Sequence, residues 1–400
     1  MGDGMATKRE IRMLTGNEAA AQAVRLCRPS VIAAYPITPQ SELVEELAKF
    51  AAEGLIDAEM VEVEGEHSAM SVLIGASAAG ARTFTATSGQ GLAYMYEPYF
   101  AASTQRLPIV MAIANREMLN PSIVAAGEQD FVTLKDGGWV IIVVENCQEL
   151  LDSLIMAYRL AEDSEIQLPV NICYDGYYLS HLSDRVEIPT QEDVDVFLSP
   201  TQKYERPKVD PDKPLICVSF APGTLMAEYR YKHCAAHERA KSKIDEIDGE
   251  LFAHFGRSYG GQIEEYRTED AEVILVTMGS RSGTAKVVVD RKRDEGLNIG
   301  LVKIRSLRPF PHERLIKALE GKKAIGVIDR SVCFGRNCGH LFVDVKASLA
   351  DVAAPIAMVN FIDGLGGGDI TIEHIERAVD ITYQAARGEP HKKVTWLALE

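Results

Sequence analysis

Short runs of apolar residues alternate along the chain with longer segments in which apolar residues recur every three or four positions. The runs are typical of buried strands, and the longer segments are typical of helices that bury one face. Such alternation indicates an α/β fold, a parallel sheet with helices on both faces. In the first half it predicts strands at Val31–Tyr35, Thr83–Thr87, Ile109–Ile113, Val140–Val144 and Leu168–Tyr174, and helices at Asn17–Leu26, Glu42–Ala52, Ser68–Ala78 and Glu149–Ala161.

The alternation is interrupted once and then resumes. Residues 197–215 carry Pro200, Pro207, Pro211 and Pro214 among charged residues, which favours a connector on the surface. A long helix, Met226–Phe255, is predicted next, so the chain divides into domains 1–196 and 268–400 with residues 197–267 between them. The second domain is predicted to hold strands at Val273–Met278, Ile299–Ile304, Ala324–Asp329 and Ala357–Phe361, and helices at Ala285–Arg293, Pro311–Leu319 and Cys338–Leu349.

Composition narrows the class of protein. The chain has 400 residues, of which 46% are hydrophobic and 25% charged, which is enough to bury two cores. Its net charge of −16 argues against a nucleic-acid or anionic-membrane partner, because either would require a basic face. We find neither the apolar segment of a signal peptide nor an apolar run long enough to span a bilayer, so we expect a cytoplasmic protein.

The cysteines give no cofactor motif. There are 7, scattered and without a Cys-x-x-Cys pair, which fits a reducing compartment and predicts no disulfide framework and no iron-sulfur cluster on this chain. The spacing of Cys333, Cys338 and His340 matches no standard zinc pattern, so no metal ligand is predicted.

Candidate chemistry centres on Glu66, in the segment Val63–Met70 between the turn Tyr35–Pro39 and the small residues of Ala86–Gly91. A carboxylate at a strand-to-helix junction, with small residues that let a flat ligand approach the backbone, is what the aminopyrimidine ring of thiamine diphosphate requires. The alternative is that Glu66 only caps a helix that begins near His67. Glu64 is interpreted as a solvated or ion-paired residue.

These motifs, in one order over nearly the whole chain, resemble the α subunit of 2-oxoacid:acceptor oxidoreductases, the pyruvate:ferredoxin oxidoreductase family, with its phenylglyoxylate dehydrogenase branch among the candidates. The resemblance implies a thiamine diphosphate-binding pyrimidine domain followed by an α/β domain like the C-terminal domain of transketolase. The motifs are Tyr35–Pro39, Glu66–Met70, Thr87–Leu92, Arg106–Val110, Asn115–Arg116, Leu168–Val170, Arg308–Pro311 and Gly364–Gly367.

The resemblance also implies partners. The cofactor is expected between this chain and a β subunit that holds the diphosphate through Mg²⁺, because Gly2-Asp3-Gly4, the one Gly-Asp-Gly motif of this chain, has no strand before it. Iron-sulfur clusters are expected on partner subunits, with a γ subunit, a ferredoxin-like subunit and coenzyme A as co-substrate. Whether electrons finally reach ferredoxin, or a nicotinamide through a flavoprotein subunit, stays open.

Site residues follow from the same resemblance. Glu66 is expected to hydrogen-bond the pyrimidine ring, Arg116 to pair with the substrate carboxylate, and Thr38 to donate a hydrogen bond to the substrate. The alternative for Arg116 is a surface ion pair with Glu117 or Glu97. The other residues expected to contact the cofactor are Pro36, Ile37, Ser88, Gly89 and Gln90, although the glycines could serve only a tight turn.

The loop after Arg116 departs from the pattern of pyruvate enzymes, which carry a histidine there. Ala125, Ala126 and Gly127 would enlarge the pocket, and Met118 and Leu119 would supply apolar surface. A larger apolar site favours an aryl substrate such as phenylglyoxylate. Pyruvate or a branched-chain 2-oxoacid remains the alternative if this loop folds away, and a non-catalytic scaffold is the alternative of another class.

Two glycine-rich turns in the second domain could be mistaken for ligand sites. The turn Gly279–Thr284 follows a strand and could bind phosphate at a helix N-terminus, but the resemblance favours subunit packing. Gly364–Gly368 lacks the strand-then-helix setting of a dinucleotide site and is predicted to be a contact loop.

Overall fold

The computed structural model describes residues 9–118, 121–202, 207–214, 216, 220–350 and 356–399, so Gly2-Asp3-Gly4 and Leu119 lie outside the described residues. The strands are β1 (Glu10–Leu14), β2 (Val31–Ala34), β3 (Glu59–Glu62), β4 (Thr83–Thr87), β5 (Ile109–Asn115), β6 (Val140–Val143), β7 (Val170–Asp175), β8 (Asp184–Ile188), β9 (Ile263–Tyr266), β10 (Val273–Met278), β11 (Ile299–Ile304), β12 (Ser306–Arg308), β13 (Ala324–Asp329), β14 (Ala357–Ile362) and β15 (Val394–Trp396).

The helices lie between these strands. None of those in the described part of the chain is both long enough and apolar enough to cross a membrane. They are α1 (Gly16–Cys27), α2 (Ser41–Ala52), α3 (Glu66–Ala78), α4 (Gly89–Tyr94), α5 (Tyr96–Thr104), α6 (Gln129–Thr133), α7 (Cys147–Ala161), α8 (Tyr178–His181), α9 (Gln191–Gln202), α10 (Thr224–Phe255), α11 (Arg281–Asp294), α12 (His312–Leu319), α13 (His340–Ser348) and α14 (Ile372–Ala386), with a short 3₁₀ turn at Leu365–Gly367.

Two sheets organise the fold, as the apolar pattern predicted. The first has the order β12-β6-β7-β5-β4-β2-β3 and is parallel except for β12. The second has the order β15-β14-β13-β10-β11-β9 and is parallel except for β9. Strands β1 and β8 form a separate antiparallel pair. The α/β fold class is therefore confirmed.

The two sheets share a hydrophobic core. One face of the first sheet packs against α1, α7 and α10, where α7 is buried along nearly its whole length. The core on the other face also contains residues of the second sheet, so Trp139 and Met111 belong to one cluster with Ile274, Leu307 and Phe310. Leu307 belongs to β12, and α10 packs on the opposite face, so the second half of the chain contributes to the cores on both faces of the first sheet.

The structure corrects the sequence prediction in several places. Helix α9 continues through Pro200, so position 196 falls inside a helix, and Phe197 and Leu198 are buried rather than part of a surface connector. Residues 207–214 that follow are mostly exposed. The predicted strands and helices are present within a few residues of their expected bounds. The elements that were not predicted are β1, β3, β8, β9, β12, β15, α4, α5, α6, α8, α9 and α14.

Candidate active site

The first sheet brings together the segments that the sequence singled out. Strands β7, β5, β4 and β2 are neighbours in that order, and parallel strands present their carboxyl ends at one edge. The turn Tyr35–Pro39 follows β2, residues Ser88–Gly91 follow β4, and Arg116 follows β5. This edge is where open α/β sheets bind ligands.

Glu66 is the first residue of α3, and its side chain is nearly buried, with 6% of the residue exposed. Burial raises the pKa of its carboxyl group, while its own backbone N–H and the charge of Arg116 act in the opposite direction. The N-cap position belongs to Gly65, and it makes no side-chain cap. Glu66 therefore does not act as the N-cap, although its charge is favourable in the first turn.

The Glu66 carboxylate packs directly against Gly91. A Cβ added to Gly91 would overlap Glu66 Oε1 and Thr87 Oγ1, so only glycine at this position leaves room for the two side chains. The Thr87 hydroxyl is buried and has no hydrogen-bond partner in the described part of the chain. A buried acid beside an unpaired hydroxyl offers hydrogen-bonding groups to the edge of a flat heteroaromatic ring, so the residues present suit the pyrimidine of thiamine diphosphate.

The Arg116 guanidinium contacts three residues. Its Nη1 donates to the Thr38 carbonyl at 2.6 Å, and its Nη2 donates to Gln90 Oε1. A Cβ on Gly89, whose φ is +47°, would overlap the guanidinium Nε. Only 8% of Arg116 is exposed, and its buried Nε has no partner among the described residues.

The surface ion pair considered for Arg116 is wrong. Within the described ranges, Glu97 lies 3.9 Å from His67, and Glu117 accepts a hydrogen bond from the Gly366 N–H at 3.3 Å. Burial lowers the pKa of Arg116, an effect that the charges of Asp130 and Glu66 oppose. The guanidinium is thus a partly desolvated cation with unused donor capacity, which is a suitable partner for a carboxylate.

The turn Tyr35–Pro39 is fixed from inside the protein. Asn17 donates to the Pro39 carbonyl at 2.9 Å and accepts from the Tyr174 hydroxyl at 2.7 Å. Thr38 and Pro36 are exposed and Ile37 is half-buried, so the turn presents these residues at the edge of the sheet. The Ser88 hydroxyl, in contrast, is buried and donates to the Ala114 carbonyl.

Sequence reasoning missed Asp130. It is fully buried, and it accepts hydrogen bonds from the backbone N–H groups of Gly89, Arg116 and Phe131. Burial raises its pKa to about 7 even though these three bonds act to lower it. Asp130 lies at the end of the segment after Arg116 that the sequence analysis discussed. The sequence around it does not predict which backbone N–H groups its carboxylate will accept.

The loop after Arg116 folds back onto β5. Ala126 pairs with Arg116 in an antiparallel bridge and is 3% exposed, so its side chain lies on the same face as that of Arg116. Ala125 faces the other way, where a Cβ on Gly367 would overlap it. Met118 is half-buried. The turn Gly364–Gly368 therefore packs against this loop on the side of the Ala125 side chain.

The turn Gly279–Thr284 is filled by acidic side chains. Ser280 Oγ donates to Asp175, and Arg281 Nη1 lies 2.5 Å from Glu128 Oε1. Asp175 also pairs with Arg330 at 2.6 Å. Carboxylates occupy the space that a phosphate would need, so this turn joins the two halves of the chain rather than binding an anion. In the described ranges no group of three or more His, Cys, Asp or Glu side chains is placed to hold a metal ion.

Comparison with known proteins identifies the class. A family model described as "Pyruvate flavodoxin/ferredoxin oxidoreductase, thiamine diP-bdg" matches residues 22–249, so this part of the chain is a thiamine diphosphate-binding domain. A second model, "Pyruvate:ferredoxin oxidoreductase core domain II", matches residues 271–375. The chain belongs to the pyruvate:ferredoxin oxidoreductase family, whose members are 2-oxoacid oxidoreductases.

Relatives of two kinds are equally similar. The α subunit of NADH-dependent phenylglyoxylate dehydrogenase from Aromatoleum evansii is 44% identical over 95% of this chain and 93% of its own length. Pyruvate synthase subunit PorA from Methanothermobacter thermautotrophicus is also 44% identical, over 98% of each chain. The family predicted from the motifs is thus confirmed, and overall identity does not distinguish the two substrates.

Solved structures agree on the fold. A 2-oxoglutarate:ferredoxin oxidoreductase from Magnetococcus marinus matches with a TM-score of 0.71 and 20% identity, over 93% of this chain and 65% of the other. A split-gene transketolase matches with a TM-score of 0.54 and 15% identity, over 94% of this chain and 99% of the other. The expected order of a pyrimidine-type domain and a transketolase-like domain agrees with both.

Proposed function

We propose that this chain is the catalytic α subunit of a multisubunit enzyme that oxidatively decarboxylates a 2-oxoacid to its acyl-coenzyme A with thiamine diphosphate. The observation that carries the proposal is the convergence of a buried acid, Glu66, and a partly desolvated cation, Arg116, at one sheet edge. An acid for the cofactor and a cation for the substrate carboxylate are the two groups that such a reaction needs from this domain.

Each residue has a distinct task in this proposal. Thiamine diphosphate, when bound, would supply a nucleophilic carbon for the keto group and an electron sink for decarboxylation. Glu66 hydrogen-bonds a pyrimidine nitrogen, and its buried position strengthens that bond. Arg116 binds the substrate carboxylate through guanidinium N–H groups, and the exposed Thr38 hydroxyl donates to the substrate beside it. Pro36, Ile37, Gly89 and Gln90 line the same edge.

In this proposal the chain provides only the pyrimidine-binding half of the thiamine diphosphate site, so the proposal includes partner subunits. A β subunit holds the diphosphate and Mg²⁺, and iron-sulfur clusters on a ferredoxin-like subunit take the electrons. Support comes from the relatives, which are named as subunits, and from the exposure of Thr38 and Pro36 at the sheet edge. A γ subunit and a flavoprotein subunit complete the expected assembly, with coenzyme A as acyl acceptor and the cytoplasm as its location.

An aryl 2-oxoacid such as phenylglyoxylate is the substrate that the loop geometry favours. Ala126 lies on the Arg116 face of the bridge, where a larger side chain would take up space on that face. Met118 adds half-buried apolar surface nearby in the chain. Pyruvate is the second candidate, since a pyruvate synthase subunit is as similar to this chain as the phenylglyoxylate dehydrogenase subunit.

The test is anaerobic, coenzyme A-dependent dye reduction by the complex purified through this chain. Phenylglyoxylate, pyruvate and a branched-chain 2-oxoacid are compared at equal concentration. A higher kcat/KM for phenylglyoxylate supports the aryl pocket, whereas a preference for pyruvate retains the reaction and rejects the pocket. No activity with any 2-oxoacid, together with no thiamine in the complex, would replace the proposal by a scaffold role.

Replacing Ala126 by Val tests the pocket directly. The two added methyl groups take volume on the Arg116 face, so we expect kcat/KM for phenylglyoxylate to fall at least tenfold relative to that for pyruvate, which is within the range for steric discrimination in an apolar pocket. Ser122→Val is the control, because Ser122 is exposed in the same loop. A selectivity that is equal in both variants would rule out Ala126 as a pocket residue.

Replacing Gly91 by Ala tests the position of the Glu66 carboxylate. The new methyl group would overlap Glu66 Oε1, so the carboxylate must move, and displacement on this scale lowers kcat by about a hundredfold. Gly75→Ala is the matched control in α3, because nothing lies within 4 Å of the added Cβ. It should keep full activity and gain about 0.5–1 kcal/mol of stability. An active Gly91→Ala enzyme would show that Glu66 need not occupy this position.

A further inference from the structure

One carboxylate oxygen joins the two segments that surround Arg116. Asp130 Oδ2 accepts the backbone N–H of Gly89 and the backbone N–H of Arg116, both at 3.0 Å. Gly89 is the first residue of α4, and Arg116 directly follows β5, so these amides belong to separate parts of the sheet edge. The second oxygen, Oδ1, accepts the N–H of Phe131 at 2.8 Å, which orients the carboxylate.

The distance between the backbone amides of Gly89 and Arg116 affects the position of the Arg116 guanidinium. The Arg116 side chain passes over the Cα of Gly89 without room for a Cβ, and it donates to the side chain of the next residue, Gln90. A shift of α4 relative to β5 would therefore move both the surface under the guanidinium and one of its hydrogen-bond partners. No other described side chain bonds both backbone N–H groups.

We propose that Asp130 is a positioning residue for substrate binding, which holds Gly89 and Arg116 at the separation that aims the guanidinium at the substrate carboxylate. This inference rests on the function proposed above, because it takes Arg116 as the group that binds the carboxylate. The competing explanation is that Asp130 only stabilises the fold by satisfying three buried amides. The two explanations predict different kinetics.

Asp130→Asn separates them. The amide keeps the size of the side chain but has only one oxygen. Its NH₂ group replaces either Oδ2, which removes both shared bonds, or Oδ1, which removes the bond from the Phe131 N–H that orients the group, so the bridge is weakened in either orientation. We expect KM for the 2-oxoacid to rise tenfold or more, while kcat at saturation and KM for thiamine diphosphate stay within threefold. Inhibition by oxamate, which carries the carboxylate, should weaken in parallel, whereas inhibition by its uncharged amide, oxamide, should not.

Asp329→Asn is the matched control. Asp329 is another buried aspartate, and its oxygens accept the backbone N–H groups of Leu341 and Phe342 at the start of α13. Burial raises its pKa to about 7, as it does for Asp130. If Asp130 has only a structural role, both variants lower the melting temperature and neither changes KM. That result would overturn the proposal.

Amide hydrogen exchange keeps the test independent of the proposed function. If the wild-type complex oxidises no 2-oxoacid, the proposed function fails, and positioning is measured as exchange at Gly89 and Arg116. Faster exchange at both amides in Asp130→Asn, with Asp329→Asn unchanged there, supports the proposal, and unchanged exchange overturns it. Should Asp130→Asn fail to fold, Asp130→Ser, which leaves space for a water molecule, is measured with the same criteria.

Discussion

Replacing Glu66 by Gln is expected to lower kcat by at least about a hundredfold, the lower end of the effect of a residue that assists proton transfer. Gln has nearly the same shape, so it fits beside Gly91 without the overlap that a larger group would cause. The Gln side chain lacks the carboxyl group of Glu66. Burial raises the pKa of that carboxyl group, and its charge acts on Arg116. The measurement is the rate of dye reduction at saturating 2-oxoacid, coenzyme A and thiamine diphosphate.

Glu64→Gln is the control for this experiment. Glu64 lies two residues earlier, is exposed, and accepts a hydrogen bond from Ser68, so it shares the sequence context without the burial. We expect its kcat to equal that of the wild type. If Glu66→Gln retains more than a third of the activity while binding thiamine diphosphate normally, the pyrimidine role of Glu66 is wrong, and the search for the acid must move to a partner subunit.

The sequence was sufficient to place Glu66 and Arg116. Glu66 begins a helix after a strand and Arg116 follows a buried strand, as their positions in the apolar pattern predicted, whereas their roles were implied by the family resemblance and stay predictions. The contacts around them could not be predicted. Gly89 and Gly91 were expected to admit a ligand, but the space they leave is taken first by Arg116 and Glu66 of the same chain.

Long-range pairing explains most of the elements that were missed. Strand β12 is three residues long, and nothing in it indicates that it will cross from the second half of the chain to pair with β6. Strand β1 is largely exposed, β8 is exposed at its first two residues, and neither has a continuous apolar run. Helix α14 is different, because Ile372, Ile375 and Val379 recur at helical spacing and the pattern was available.

The buried pair of Glu128 and Arg281 shows how the second half of the chain supports the site. Both side chains are 1% exposed, and the guanidinium contacts both carboxylate oxygens, at 2.5 Å and 3.3 Å. Arg281 also donates to the Ile328 carbonyl at 3.1 Å. Glu128 is the N-cap of α6, the helix that contains Asp130, so this contact connects α11 to the residue that accepts the Gly89 and Arg116 N–H groups.

Removing one member of this pair is therefore expected to have a large effect on stability. Arg281→Met leaves the Glu128 carboxylate buried without its cation, which costs about 3–5 kcal/mol, and thermal unfolding of the purified protein should show a clearly lower midpoint. The double variant Glu128→Gln with Arg281→Met should recover most of the loss, because the Glu128 charge is removed together with its cation. An exposed pair provides the control, since Arg387→Ala beside Glu389 should leave the midpoint unchanged. Equal losses in the single and double variants would show that the packing of Arg281, and not its charge, holds the two halves of the chain together.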